Sequence, residues 1–117
     1  MDKNELIHKF TGRDWTKEQF QWRPGAVTPM TLDHLNYYRK SWDWLMPVVT
    51  KIICEKFEDG ENVYLRTFGM INEENGNLMV RFNRHALFEA GTLLEATYLA
   101  VCDYVSGIAK TEAKPAL

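Results

Sequence analysis

Apolar residues recur at helical spacing in three places along this chain and alternate in one. Leu6, Ile7 and Phe10 lie at i, i+1 and i+4, which predicts a short helix over residues 3–10 with Gly12 as its stop. Trp42, Leu45, Met46, Val49, Ile52, Ile53 and Phe57 form one helical stripe, predicting a second helix over residues 41–57 that stops near Gly60. Residues 33–40, "DHLNYYRK", read as an extra turn or a loop leading into it. Leu94, Tyr98, Val101, Val105 and Ile108 predict a last helix, with Thr97 and Tyr104 at the margins of its buried stripe. "TLLE" at its start is a capping box, in which Thr92 accepts from the backbone near Glu95 and Glu95 reaches back.

Between the second and last helices the period drops to two. "NVYLRTFGMI" and "LMVRFN" alternate around "NEENGN", and Asn75-Gly76 is a strong hairpin signal because a type I′ turn needs positive φ at both central residues. With those two as the turn, Ile71 faces Val80 and Gly69 faces Phe82. Val63, Leu65, Thr67, Ile71, Leu78, Val80 and Phe82 then share the core face. The segment "TGRDWTKEQFQWRPGAVTPMT" contains Gly12, Pro24, Gly25 and Pro29 and reads as largely irregular. It also holds Trp15, Phe20 and Trp22, so it is expected to lie against the body of the domain. The resulting order predicts an α+β fold of two layers: an antiparallel hairpin or small sheet packed on two main helices, plus a short N-terminal helix. A bare hairpin is marginal, and a third strand from residues 20–30, or a partner chain, would support it. One domain over residues 1–110 and a flexible tail over 111–117, "TEAKPAL", complete the expectation.

With 117 residues, 45% hydrophobic and 26% charged, the chain has the composition of a single globular domain. A formal net charge of −2 argues against general nucleic-acid binding. Cys54 and Cys102 are far apart, the N-terminus is charged, and no apolar run is long enough to cross a bilayer. These features predict a cytoplasmic protein with two reduced thiols and no membrane partner.

"SWDWLMPVV", Ser41 to Val49, is an odd helix start. Ser41 suits an N-cap and Asp43 the first turn, where the helix dipole favours negative charge. Pro47 either kinks the helix at its sixth position or marks a start nearer Trp44. Trp42 shares the core stripe, whereas Trp44 lies about 200° further round. Trp44 is expected to be covered by the coil that carries Trp15, Phe20 and Trp22. This segment, with the "KI" that follows shortly after, resembles a motif in a family of small uncharacterised proteins of Bacteroidetes bacteriophages and prophages. "NELIHKFTG" is similar to that family's opening helix and "LLEATYLAVCDYV" to its closing one. The chain departs from the family in its longer middle and its tail. The resemblance implies a mobile-element origin and an α+β fold. It implies no activity and no catalytic residue.

The chemistry-bearing residues are sparse. His8, His34 and His85 are scattered, and Glu5 with His8 makes only two ligands at helical spacing, so no metal site is expected. Cys54 and Cys102 fall off the buried stripes and read as inert thiols; a pairing with His85 is the reactive alternative. No phosphate-binding or dinucleotide loop occurs, and no cofactor is expected. The hairpin face opposite the core is less ordinary: Tyr64, Arg66, Phe68, Met70, Met79 and Arg81 are residue types that interfaces favour. Its occupant is open between the chain's own coil or tail, a second copy, and a ligand or foreign partner. Trp22, Arg23 and Trp44 form a second candidate site. The expected function is a non-enzymatic phage-type interaction protein that works by binding, as a homodimer or on a host protein. The alternative is a small-molecule binder that sequesters a nucleotide signal of host defence, since arginine beside aromatics can stack on a base and hold a phosphate.

Overall fold

In the computed structural model the described residues are 2–68 and 77–113, with the side chains of 68 and 109–113 outside the description. Helix α1 spans Lys3–Phe10. Asp2 caps it, its carboxylate accepting from Asn4 N at 2.7 Å. Gly12 follows with φ of +81°, the left-handed conformation that ends a helix cheaply only at glycine. A 3-10 turn, Trp15–Lys17, leads into strands β1 (Gln19–Arg23) and β2 (Ala26–Pro29). The two pair antiparallel across Pro24-Gly25, with Arg23 opposite Ala26. Proline presets φ there and Gly25 sits at +79°, as a type II turn requires. A second 3-10 segment, Leu32–Asn36, runs into α2 (Tyr37–Lys40) and then α3 (Trp42–Ile53). Strands β3 (Leu65–Phe68), β4 (Leu78–Phe82) and β5 (Phe88–Ala90) form a separate antiparallel sheet in that order. Helix α4, Leu93–Ala113, closes the fold.

The architecture is α+β, with α4 packed on the three-stranded antiparallel sheet and the other helices packed on α4. Helix α4 joins the parts: it packs on β4 and β5 and also meets α1, α2 and α3. Its burial is therefore wider than one stripe, taking in Ala96, Thr97, Ala100 and Cys102 besides Tyr98, Val101 and Val105. Val63, Val80 and Phe82 supply the sheet's side of the core. Leu35, Tyr38, Leu45, Val48, Val49 and Ile52 supply the helical side.

Several expectations are corrected. The third strand of the main sheet is β5, not residues 20–30, which instead make their own two-stranded hairpin. Gln19, Phe20, Gln21, Trp22 and Arg23 in fact alternate polar and aromatic around a Pro-Gly turn, the period of a strand. In the main sheet Leu65 faces Phe82 and Thr67 faces Val80, four residues from the expected register; Gly69, the expected partner of Phe82, lies outside the described residues. An even shift leaves every side chain on the same face, so alternation could not separate the two registers. Met70, Ile71 and the expected turn at Asn75-Gly76 lie outside the described residues. Trp42 is 36% exposed and Met46 and Ile53 are exposed as well, because the buried stripe of α3 is Leu45, Val48, Val49 and Ile52. Helix α3 ends at Ile53 rather than Phe57, and Pro47 stands inside it at the sixth position with no N–H to offer Asp43. Cys102 is buried, not off the stripe, while Cys54 is exposed.

Candidate functional site

The alternation of β3 and β4 places Tyr64, Arg66, Met79 and Arg81 on the sheet face away from α4, as the pattern predicts. Arg66 lies directly opposite Arg81, Phe68 opposite Met79, and Glu89 of β5 opposite Met79 on its other side. The face therefore carries two arginines on β3 and β4 and one carboxylate on β5. Tyr64 and Arg66 are exposed, and Met79 and Arg81 are half-buried. The Nε of Arg81 is buried without a hydrogen-bond partner among the described residues. Like charges directly opposite each other in a sheet are unfavourable. The Phe68 side chain and Met70 lie outside the described residues.

Trp22, Arg23 and Trp44 do not form one site. Trp22 projects from the β1–β2 hairpin, 57% exposed, with the Arg23 guanidinium 4.5 Å from its ring centre. Trp44 is packed into a series of rings. Phe20 stacks on His34 at 4.1 Å and 9°, Phe20 on Tyr37 at 5.3 Å, and Tyr37 on Trp44 at 5.5 Å. Tyr38 meets Trp44 edge-on at 5.1 Å. The expected cover of Trp44 is thus right for Phe20. The rest of it comes from Tyr37 and Tyr38 of α2, not from Trp15 or Trp22.

A polar cluster that the sequence reading passed over lies beside these rings. His8 is fully buried. Its Nδ1 lies 2.6 Å from the Tyr38 hydroxyl and its Nε2 2.5 Å from Glu18 Oε1. Glu18 Oε2 accepts two further bonds from Arg13, from Nε at 2.8 Å and from Nη2 at 2.5 Å. A carboxylate accepts only, so Nε2 carries a proton, and in a neutral imidazole Nδ1 accepts from the tyrosine hydroxyl. Burial pushes the Glu18 carboxyl up, but the hydrogen bonds and charges of His8 and Arg13 outweigh it and hold the carboxyl below its ordinary value. Burial raises the Tyr38 phenol. Nearby, Asn4 is also buried, donating to Asn36 Oδ1 and accepting from the Tyr98 hydroxyl at 2.6 Å. The available signal was Asn4, Ile7, His8 and Thr11, which recur at i, i+3, i+4 and i+7. Three polar side chains, Asn4, His8 and Thr11, thus sit on the stripe that turns inward.

Two clefts flank Arg13. One, about 350 Å³, is lined by Thr11, Arg13, Tyr38, Asp43, Trp44, Pro47 and Val48. The other, about 430 Å³, lies between α1 and the Trp15 turn. The Cys102 thiol is pushed up by burial, which disfavours the thiolate a nucleophile needs. His85 approaches Asp103 at 3.7 Å and packs on Tyr104. Among the described residues no cluster of three or more His, Cys, Asp or Glu could hold a metal ion, and no helix is long and apolar enough to cross a membrane. No protein-family model matches this chain, and no curated protein or solved structure is found to be similar to it.

Proposed function

We propose that this protein acts by binding, without catalysis, and that its working surface is the open face of the three-stranded sheet, met by a second copy of the chain. The observation that carries this reading is the charge order across the face: Arg66 on β3, Arg81 on β4 and Glu89 on β5. A two-fold axis running parallel to the strands, between two stacked faces, lays β3 of one copy over β5 of the other. Each Arg66 then lies near the partner's Glu89. The offset is two residues, about 7 Å along the strand, which an arginine side chain can span. Such an interface is self-complementary, as a two-fold contact must be. Tyr64 and Met79 supply the apolar contact. The resemblance of "SWDWLMPVV" to phage proteins gives this binding role a mobile-element setting.

Size sets the strength. Three strands of up to five residues make a flat footprint of roughly 14 by 17 Å. That is well under the ~800 Å² per partner of a stable interface. Association is therefore weak and concentration-dependent. Light scattering after size exclusion should show a mass rising with loading from 13.7 kDa toward twice that value. Arg66→Glu and Glu89→Arg should each hold the protein at the monomer mass, and the double variant should restore the rise, because the swap recreates the cross-pair. Unchanged folding by circular dichroism must accompany all three. A wild type that stays monomeric at its highest soluble concentration, or a double variant that fails to recover, would refute the reading.

A further inference from the structure

We infer that the cleft beside Trp44 binds a nucleoside monophosphate. It is independent of the sheet face and is built from other elements: the end of α1, the loop after it, α2 and the first turns of α3. Its volume, about 350 Å³, falls within the range of small-ligand sites. One wall is apolar, made by Trp44, Pro47 and Val48. The rest of the lining is polar: Arg13 and Asp43 bring opposite charges, and Thr11 and Tyr38 bring hydroxyls.

Each part of that lining matches one part of a nucleotide. Trp44 is held in a ring cluster by Phe20, Tyr37 and Tyr38. A planar base in the cleft would meet an indole already backed by other rings, and base–aromatic stacking is tolerant of which base is present. Asp43, in the first turn of α3, is an acceptor for the amino and imino N–H groups of a base edge. Arg13 is a donor for the phosphate. Its Nε and Nη2 are both bonded to one oxygen of Glu18, whose other oxygen is held by the buried His8. The guanidinium is thus oriented from behind, and three of its five N–H groups are not used by Glu18. Pre-orientation of this kind lowers the ordering cost of binding. An aliphatic anion would use Arg13 and leave the ring wall idle; an uncharged heterocycle would use Trp44 and Asp43 and leave Arg13 idle.

Chemical-shift mapping on ¹⁵N-labelled full-length protein tests this with AMP and GMP as probes, beside adenosine and ribose 5-phosphate. Saturable shifts centred on Thr11, Arg13, Asp43 and Trp44 are expected for both nucleotides. Arg13→Gln should weaken AMP by about tenfold or more, the effect of one lost charged hydrogen bond, and leave adenosine unchanged. Asp43→Asn should weaken AMP and adenosine alike. Both residues are exposed, so the variants are expected to fold, and their spectra report it directly. The inference is overturned if the nucleotides cause no saturable shifts at millimolar concentration, or if the shifts lie elsewhere. It is equally overturned if ribose 5-phosphate binds as tightly as AMP, which would make the cleft a site for anions alone.

Discussion

The buried histidine offers the sharpest test of how this fold is held. His8→Ala removes a ring with no exposure and two short hydrogen bonds, and leaves the Tyr38 hydroxyl buried without its acceptor. The bond to the charged Glu18 is worth about 1.5–3 kcal/mol, and a stranded buried hydroxyl costs about 1–3 kcal/mol. A loss of roughly 3–5 kcal/mol follows, at the upper end of what single substitutions do. A chain of 117 residues unfolds with an entropy near 0.25 kcal/mol/K, so the melting temperature should fall by about 12–20 °C. Total stability for this length is about 6–18 kcal/mol, so the variant should still fold at 25 °C unless the protein lies at the bottom of that range. Thermal melts by circular dichroism, with urea titrations beside them, give both quantities. Tyr38→Phe should cost less, and the double variant less than the sum, because the two groups share one bond. A His8→Ala melt within about 3 °C of wild type would refute a stabilising role for the His8 hydrogen bonds.

The same cluster sets a pH dependence. The Glu18 carboxyl titrates lower in the folded protein than in the unfolded chain. Its contribution is therefore fully present above the unfolded value, about 4.3, and is lost as pH falls through the lower folded value. The stability gap between wild type and Glu18→Gln should be constant from pH 5 to 7 as far as Glu18 is concerned, and should close as the pH drops below about 4.

Two further outcomes check the fold. Thr92→Ala should cost about 1 kcal/mol in a denaturant titration, because Thr92 Oγ1 accepts the Glu95 N–H at 3.1 Å. The other half of the expected capping box is replaced: the Glu95 carboxylate is held by Arg39 at 2.7 Å. Trp42→Ser should change stability by about 1 kcal/mol or less, whereas Trp44→Ser should cost about 3 kcal/mol or more, since only Trp44 is packed among rings; equal losses would restore the Trp42-centred stripe.

What the sequence determined by itself is local. The period of 3.6 marked α1, α3 and α4, the period of two marked β3 and β4, and the same alternation named the face that carries Tyr64, Arg66, Met79 and Arg81. Thr92 announced the start of α4 because a cap is made within one turn. Tertiary structure decided the rest, for reasons visible in particular residues. Helix α3 is apolar on several sides, so two neighbouring stripes fit its sequence equally well. Contact with α2 and α4 selected Leu45, Val48, Val49 and Ile52 and left Trp42 outside. The register of β3 on β4 could slip by four residues without moving any side chain to the other face. Strand β5 has only three residues, too few to show a period, and exists through its pairing with β4. The polar cluster was hidden most deeply. His8 and Glu18 are ten residues apart and His8 and Tyr38 thirty apart, with no fixed spacing between them. Only the packing of α1 against the second 3-10 segment and the run into α2, with β1 entered from the Trp15 turn, brings an imidazole, a carboxylate and a phenol within hydrogen-bond reach.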